Sequence, residues 1–181
     1  MIWTLFKRKK ANRVLVEAQY ARLTQAARSP VFYSEMGAPD TVIGRFEMIT
    51  IHLVLYLRRT ANAGPAVKGI AQDIVDAFFE DVDHSIRELG VGDMGVPKRM
   101  KKFARMFYGR LKSYGQALDD HDGAALAEAL RRNIHPDDPG AAEPMRMLSD
   151  WMMLAAKQLE ETPEETLAAG RLAFPSADLV R

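Results

Sequence analysis

Apolar residues recur along this chain at three- and four-residue steps, and alternation of period two is scarce, so the pattern predicts helices throughout. Ala11 to Ala27 reads as a first helix, stopped before Pro30. Ser29 to Asp40 holds two prolines and a glycine and reads as a connection. Thr41 is the expected N-cap of a helix running to about Thr60. Ile43, Phe46, Ile49, Ile51, Leu53, Val54, Leu55 and Leu57 point nearly all round it, the pattern of a helix central to a bundle. Ile51 to Leu57 has strand propensity too, but the pattern is long and has no strand partner. After Ala63-Gly-Pro65 a long helix is expected to Leu89. Its core face is Ile70, Ile74, Phe78, Val82, Ile86 and Leu89; Asp73, Asp76, Glu80, Asp83 and Arg87 lie opposite.

Gly90 to Val96 reads as a turn, and Pro97 opens the next helix. That helix turns Met100, Phe103, Phe107, Leu111, Tyr114 and Leu118 inward. A short alanine-rich helix to Ile134, a loop at His135 to Gly140 and a last long helix from about Glu143 to Glu161 follow. Thr162-Pro-Glu-Glu165 reads as the cap of a short terminal helix. The expectation is an all-α, single-domain bundle of about six to seven helices. It comprises a basic and apolar segment at 1–10, the helical domain at 11–170 and a frayed tail at 171–181.

Composition adds limits. The chain has 181 residues, 48% hydrophobic and 27% charged, enough for one domain with a real core. It has no cysteine, which excludes disulfides, thiolate metal sites and a cysteine nucleophile. The longest apolar run, Phe46 to Leu57, is interrupted by Glu47 and His52 and is too short for a bilayer. Met1 to Lys10 places its apolar residues before its cations, the reverse of a signal peptide.

Net charge is only +1, yet charge is separated locally. Asp73, Asp76, Glu80, Asp81 and Asp83 fall in a stretch without Lys or Arg. Lys98, Arg99, Lys101, Lys102, Arg105, Arg110 and Lys112 fall in one without carboxylates. Such a cationic face fits nucleic acid, an anionic membrane or an acidic protein; alternatively the two helices neutralise each other. Trp3, Leu5 and Phe6 with Lys7, Arg8, Lys9 and Lys10 can either sit at an anionic lipid interface or form a soluble tail.

Candidate chemistry is sparse. Gly90-Val-Gly-Asp-Met-Gly95 matches G-x-G-x-x-G, but a helix precedes it where a dinucleotide site needs a strand, so it reads as a turn. Free amides beside Lys98 and Arg99 remain a weaker anion-site reading. Asp81-x-x-His84 has half the spacing of a metal site and flanks the core face, without the partner carboxylates a di-iron bundle needs. His52 reads as a hydrogen-bonded core residue. No catalytic residue, metal ligand or cofactor is expected.

Two blocks carry a resemblance. Asp76-Ala-Phe-Phe-Glu-Asp-Val-Asp-His-Ser-Ile-Arg-Glu-Leu-Gly-Val-Gly-Asp-Met-Gly-Val-Pro-Lys-Arg-Met-Lys-Lys102, with Phe107-Tyr-Gly-Arg110 after it, resembles the signature region of the ubiquinol–cytochrome c chaperone family. Asp40-Thr-Val-Ile-Gly-Arg-Phe-Glu-Met-Ile-Thr-Ile-His-Leu-Val-Leu-Tyr-Leu-Arg-Arg59 resembles its other typical block. The resemblance covers roughly Pro30 to Leu159 and implies an all-helical, non-enzymatic assembly chaperone for the cytochrome bc1 complex. Mitochondrial members bind newly made cytochrome b near the ribosome exit with a small helper protein. This chain lacks their long presequence and looks like a bacterial member, expected in the cytoplasm, peripheral at the inner membrane. The matching positions Asp81, Asp83, Arg87, Lys98, Arg99, Lys101, Lys102, Tyr108 and Arg110 are the expected partner-binding surface. The alternative is a nucleic-acid- or ribosome-binding module using Lys98 to Lys112.

Overall fold

Helix α3 (Val42–Thr60) forms the axis of the molecule: beyond its first turn, from Phe46 to Thr60, its residues leave it no exposed side. Leu53, Val54 and Leu55 are successive and all fully buried, each stabilising the fold by roughly 1.5–3 kcal/mol. The computed structural model describes residues 2–180, with side chains from Arg13 onward. Around α3 pack α1 (Ile2–Ala27), α4 (Pro65–Glu88), α5 (Val96–Asp119) and α7 (Ala142–Glu161). Helix α6 (Gly123–Ile134) lies against α5 and α7, and two five-residue helices, α2 (Pro30–Ser34) and α8 (Glu164–Ala168), fill the edges. The described residues therefore form a single all-α domain of six long helices and two short ones.

Both ends of α3 are fixed by specific polar contacts. The Thr41 hydroxyl accepts from the Gly44 amide at 3.1 Å, the expected N-cap. Gly44 is obligatory there, since a Cβ would lie 1.8 Å from the Pro39 carbonyl oxygen. At the other end Arg59 donates to the carbonyls of Leu159 (2.7 Å) and Thr162 (2.6 Å), satisfying the end of α7. Gln19 joins three elements: its amide donates to Leu167 O at 2.6 Å, and its oxygen accepts from the Tyr56 hydroxyl at 2.9 Å.

Three elements differ from the sequence expectation. Helix α1 begins at Ile2 rather than Ala11, so residues 2–10 are continuous with it in backbone. The connection at 29–40 contains α2, because Pro30 takes the first position of a short helix and Phe32 anchors it in the core. The expected tail is packed: Leu172 and Ala177 are buried, Arg22 donates to Gly170 O at 2.7 Å, and Trp151 Nε1 donates to Pro175 O at 3.2 Å. The 90–96 segment is the expected turn: it follows helix α4, Gly90 takes φ +78°, and Gly95 N donates to Gly92 O at 2.7 Å.

His52 is enclosed where α3 meets α2, α7 and the C-terminal segment. The rings of Phe32, Trp151 and Phe174 stand 5.5, 5.0 and 4.7 Å from its own. Its Nδ1 lies 2.8 Å from Met48 O, and Nε2 has no protein partner. Burial pulls its pKa down to about 4. The unfolded ring titrates near 6.5, so between these values the unfolded chain binds the extra proton. The stability from burying a neutral ring is complete above about pH 6.5 and lost as pH falls toward 4.

Denaturant titrations at pH 7 and pH 5 should differ by about 2 kcal/mol on this account. Replacing the ring by His52→Leu should flatten that difference. Gly44→Ala should cost on the order of 3 kcal/mol, read as a Tm lowered by about 6–12 °C.

Candidate functional site

The charge-divided segment folds into an antiparallel pair. Phe78 and Phe79 of α4 meet Phe107 of α5, and Gln72 and Val75 face Leu111 and Gly115 further along. The ring of Phe46 from α3 lies 5.6 Å from Phe78 and 4.8 Å from Phe103, so an aromatic cluster joins the three helices.

The rotation of α5 is set by a buried ion pair. Arg110 donates from Nε to Glu47 Oε2 at 3.0 Å and from Nη2 to Oε1 at 2.6 Å. The two side chains are only 11% and 2% exposed. A fork of this geometry fixes both side chains, and its guanidinium gains a further bond to Met106 O at 3.3 Å. Burial pushes Glu47 above the ordinary carboxylate range, more than Arg110 draws it back. Tyr114 lies one turn further on, buried, its pKa raised by burial and then by Glu47. Its buried hydroxyl has no hydrogen-bond partner by geometry, and the Asn133 amide donates to Ala129 O at 2.8 Å. Arg110, expected on the partner surface, therefore faces the interior.

With Arg110 turned inward, the other six cations of α5 face outward. Lys98, Arg99, Lys101, Lys102, Arg105 and Lys112 are all exposed, and none makes an ion pair among the described residues. Five of them form a stripe about 21 Å long on one face. The carboxylates of α4 do not neutralise it. Asp81 accepts from the Tyr20 hydroxyl at 2.8 Å, a contact that binds α1 to α4. Burial first, then Asp81, raises the Tyr20 pKa. Asp83 and Asp93 both accept from Arg87, at 2.7 and 2.5 Å, bracing the turn to α4. Asp76 accepts from Gln72 at 2.9 Å.

Tyr108 is 58% exposed, backed by Phe107 at 5.2 Å and Phe79 at 6.4 Å. It borders a groove of about 470 Å³ between α4, α5 and the end of α3, lined by Leu57, Gln72, Val75, Leu111 and Gly115 among others. Lys98, Lys101 and Lys102 are exposed on the stripe that Tyr108 borders, Arg99 is exposed further round α5, and Asp81, Asp83 and Arg87 make contacts within the chain. Trp3, Leu5, Phe6, Lys7, Arg8, Lys9 and Lys10 lie outside the described side chains. Sequence reasoning missed Glu47 as a structural residue, although a lone carboxylate in an all-round apolar helix was its signal. It also missed the groove, whose lining mixes apolar and small residues with Asn62, Gln72 and the Arg58–Asp119 pair and so follows no single pattern along the sequence.

A family model described as ubiquinol-cytochrome C chaperone matches residues 34–174. A "ubiquinol-cytochrome-c reductase complex assembly factor 1" of Xenopus laevis is 28% identical over 115 residues, 62% of this chain and 57% of that protein. The Homo sapiens protein of that name is 25% identical over 146 residues, 79% of this chain and 48% of its own length. The chain thus spans about half the length of these curated relatives. The crystal structure of the Cbp3 homolog from Brucella abortus is 48% identical and superposes with a TM-score of 0.88 over 100% of both chains. Among the described residues no helix is long and apolar enough to cross a membrane.

Breaking the buried pair from one side should be far worse than removing it. Arg110→Met leaves Glu47 without its counter-charge and should cost about 3–5 kcal/mol, whereas Glu47→Leu with Arg110→Met should recover most of that loss. Denaturant unfolding of the two single variants and the double variant checks this.

Proposed function

We propose that this chain, which belongs to the ubiquinol–cytochrome c chaperone family, is a non-enzymatic assembly chaperone for the cytochrome bc1 complex and binds newly made cytochrome b. The observation that carries the reading is the α5 stripe: five exposed cations without ion-pair partners beside a half-exposed tyrosine. Cations left unpaired next to an acidic helix are placed to meet a partner's carboxylates. The names of the relatives, which refer to assembly of ubiquinol-cytochrome c reductase, give that partner its class. The acidic α4 alongside disfavours a polyanion as long as nucleic acid, which would have to cross it.

No side-chain chemistry is needed. The buried titratable groups are engaged in packing, Glu47 with Arg110 and His52 with Met48 O and three rings. Lys98, Arg99, Lys101, Lys102 and Tyr108 contact the client directly, with Asp81, Asp83 and Arg87 holding α4 and the turn in register. The N-terminal residues Trp3 to Lys10 keep the protein at the cytoplasmic face of the bacterial inner membrane, where the client inserts. A helper protein or the ribosome would add a second contact.

A deletion strain should lose mature cytochrome b and assembled bc1 complex; normal levels of both would reject the proposal. Lys101→Glu with Lys102→Glu should reduce crosslinking of the chain to cytochrome b in membranes. Its stability should change by no more than about 0.5 kcal/mol, because neither lysine has a partner in the fold.

A further inference from the structure

We infer that the groove between α4 and α5 is a docking site for an amphipathic α-helix of a partner protein, basic along one flank and acidic along the other. The inference rests on the chaperone reading only in taking the partner to be a protein. Its floor is apolar, with Leu57, Val75, Phe107 and Leu111, Tyr108 forms part of its wall, and Arg58 and Asp119, paired with each other at 2.6 Å, close one end. Its two banks are of opposite charge. On α5, Arg105 and Lys112 stand beside Tyr108 on the exposed side and pair with nothing among the described residues. On α4, Asp76 is exposed one turn from the groove-lining Gln72, whose amide donates to it at 2.9 Å, and it forms no ion pair with α5.

Both banks are helices, so neither offers a row of free backbone groups to an extended strand. An occupant must satisfy its own amides and carbonyls over the apolar floor, and a helix does so within itself. From Tyr108 to Asp119 the groove runs about 16 Å, three helical turns. The α5 wall has room for close approach, because a Cβ built at Gly115 would meet nothing within 4 Å. Charge selects the occupant: an all-basic helix gains from α4 and is repelled by α5, and an all-acidic helix the reverse. A helix with one flank of each sign satisfies both banks. Reversing it end to end exchanges its flanks, so charge also sets its direction.

The test uses the purified full chain and three synthetic helical peptides of about 18 residues that share one leucine face. One carries lysines along one flank and glutamates along the other; two controls carry only lysine or only glutamate on both flanks. In fluorescence anisotropy the mixed peptide should bind at least about tenfold more tightly than either control. Gly115→Leu fills the groove in an open position and should lose that binding while keeping its melting temperature. Arg105→Glu with Lys112→Glu should move the preference to the all-lysine peptide. Equal binding of the three peptides, or undiminished binding by Gly115→Leu, would overturn the inference. A deletion strain with normal bc1 complex would reject the chaperone reading and leave this binding series intact.

Discussion

The forked pair between Glu47 and Arg110 determines which way α5 faces, and the functional surface depends on that rotation. Apolar packing holds α5 through shape, by the fit of its side chains between those of α3 and α4, and gives no directional bond. A guanidinium held by a carboxylate through two parallel bonds does. With Arg110 fixed toward α3, the side chains of Lys101, Arg105 and Lys112 must emerge on the opposite side, and Tyr108 falls between them and the core. The pair's desolvation is expensive, so its value lies in orientation rather than in net stability.

That arrangement explains what could be read from the sequence. Helices α3 to α7 follow the apolar period within a residue or two, because burial along a regular face outweighs local propensity. The Gly90 to Val96 turn was legible because glycine and proline act locally there. Helix α2 and the packed residues 171–180 were not legible. Both are too short to show a period, and they are held by single long-range contacts, Phe32 on Trp151 at 4.7 Å and Trp151 Nε1 on Pro175 O. The candidate surface was half legible. Exposed cations show in a charge count, but the inward turn of Arg110 depends on a carboxylate 63 positions away.

The two ends of α3 carry different duties. Its C-terminal half ties the chain together: Arg58 reaches Asp119 and Glu160, both at 2.6 Å, and Arg59 closes the end of α7. His52, midway, holds α2, α7 and the C-terminal segment around one uncharged ring. The side of α3 toward α4 and α5 carries Phe46 and Glu47, which shape the charged pair. The inner faces of α4 and α5 share in these contacts, while the cations along the outer face of α5 take no part in them.

The outer faces of α4 and α5 are built below the stability they could have. Gly69 on α4 and Gly109 and Gly115 on α5 are helical, and a Cβ at any of them would meet nothing within 4 Å. Each costs about 0.5–1 kcal/mol relative to alanine, with no turn or close internal contact requiring it. The cations of α5 and the carboxylates of α4 lie on adjacent helices without a single ion pair between them. A surface shaped only by folding would gain from an alanine at each glycine and from pairing its charges. Open glycines and unpaired charges on the same two helices make physical sense when the missing contacts are supplied by another molecule.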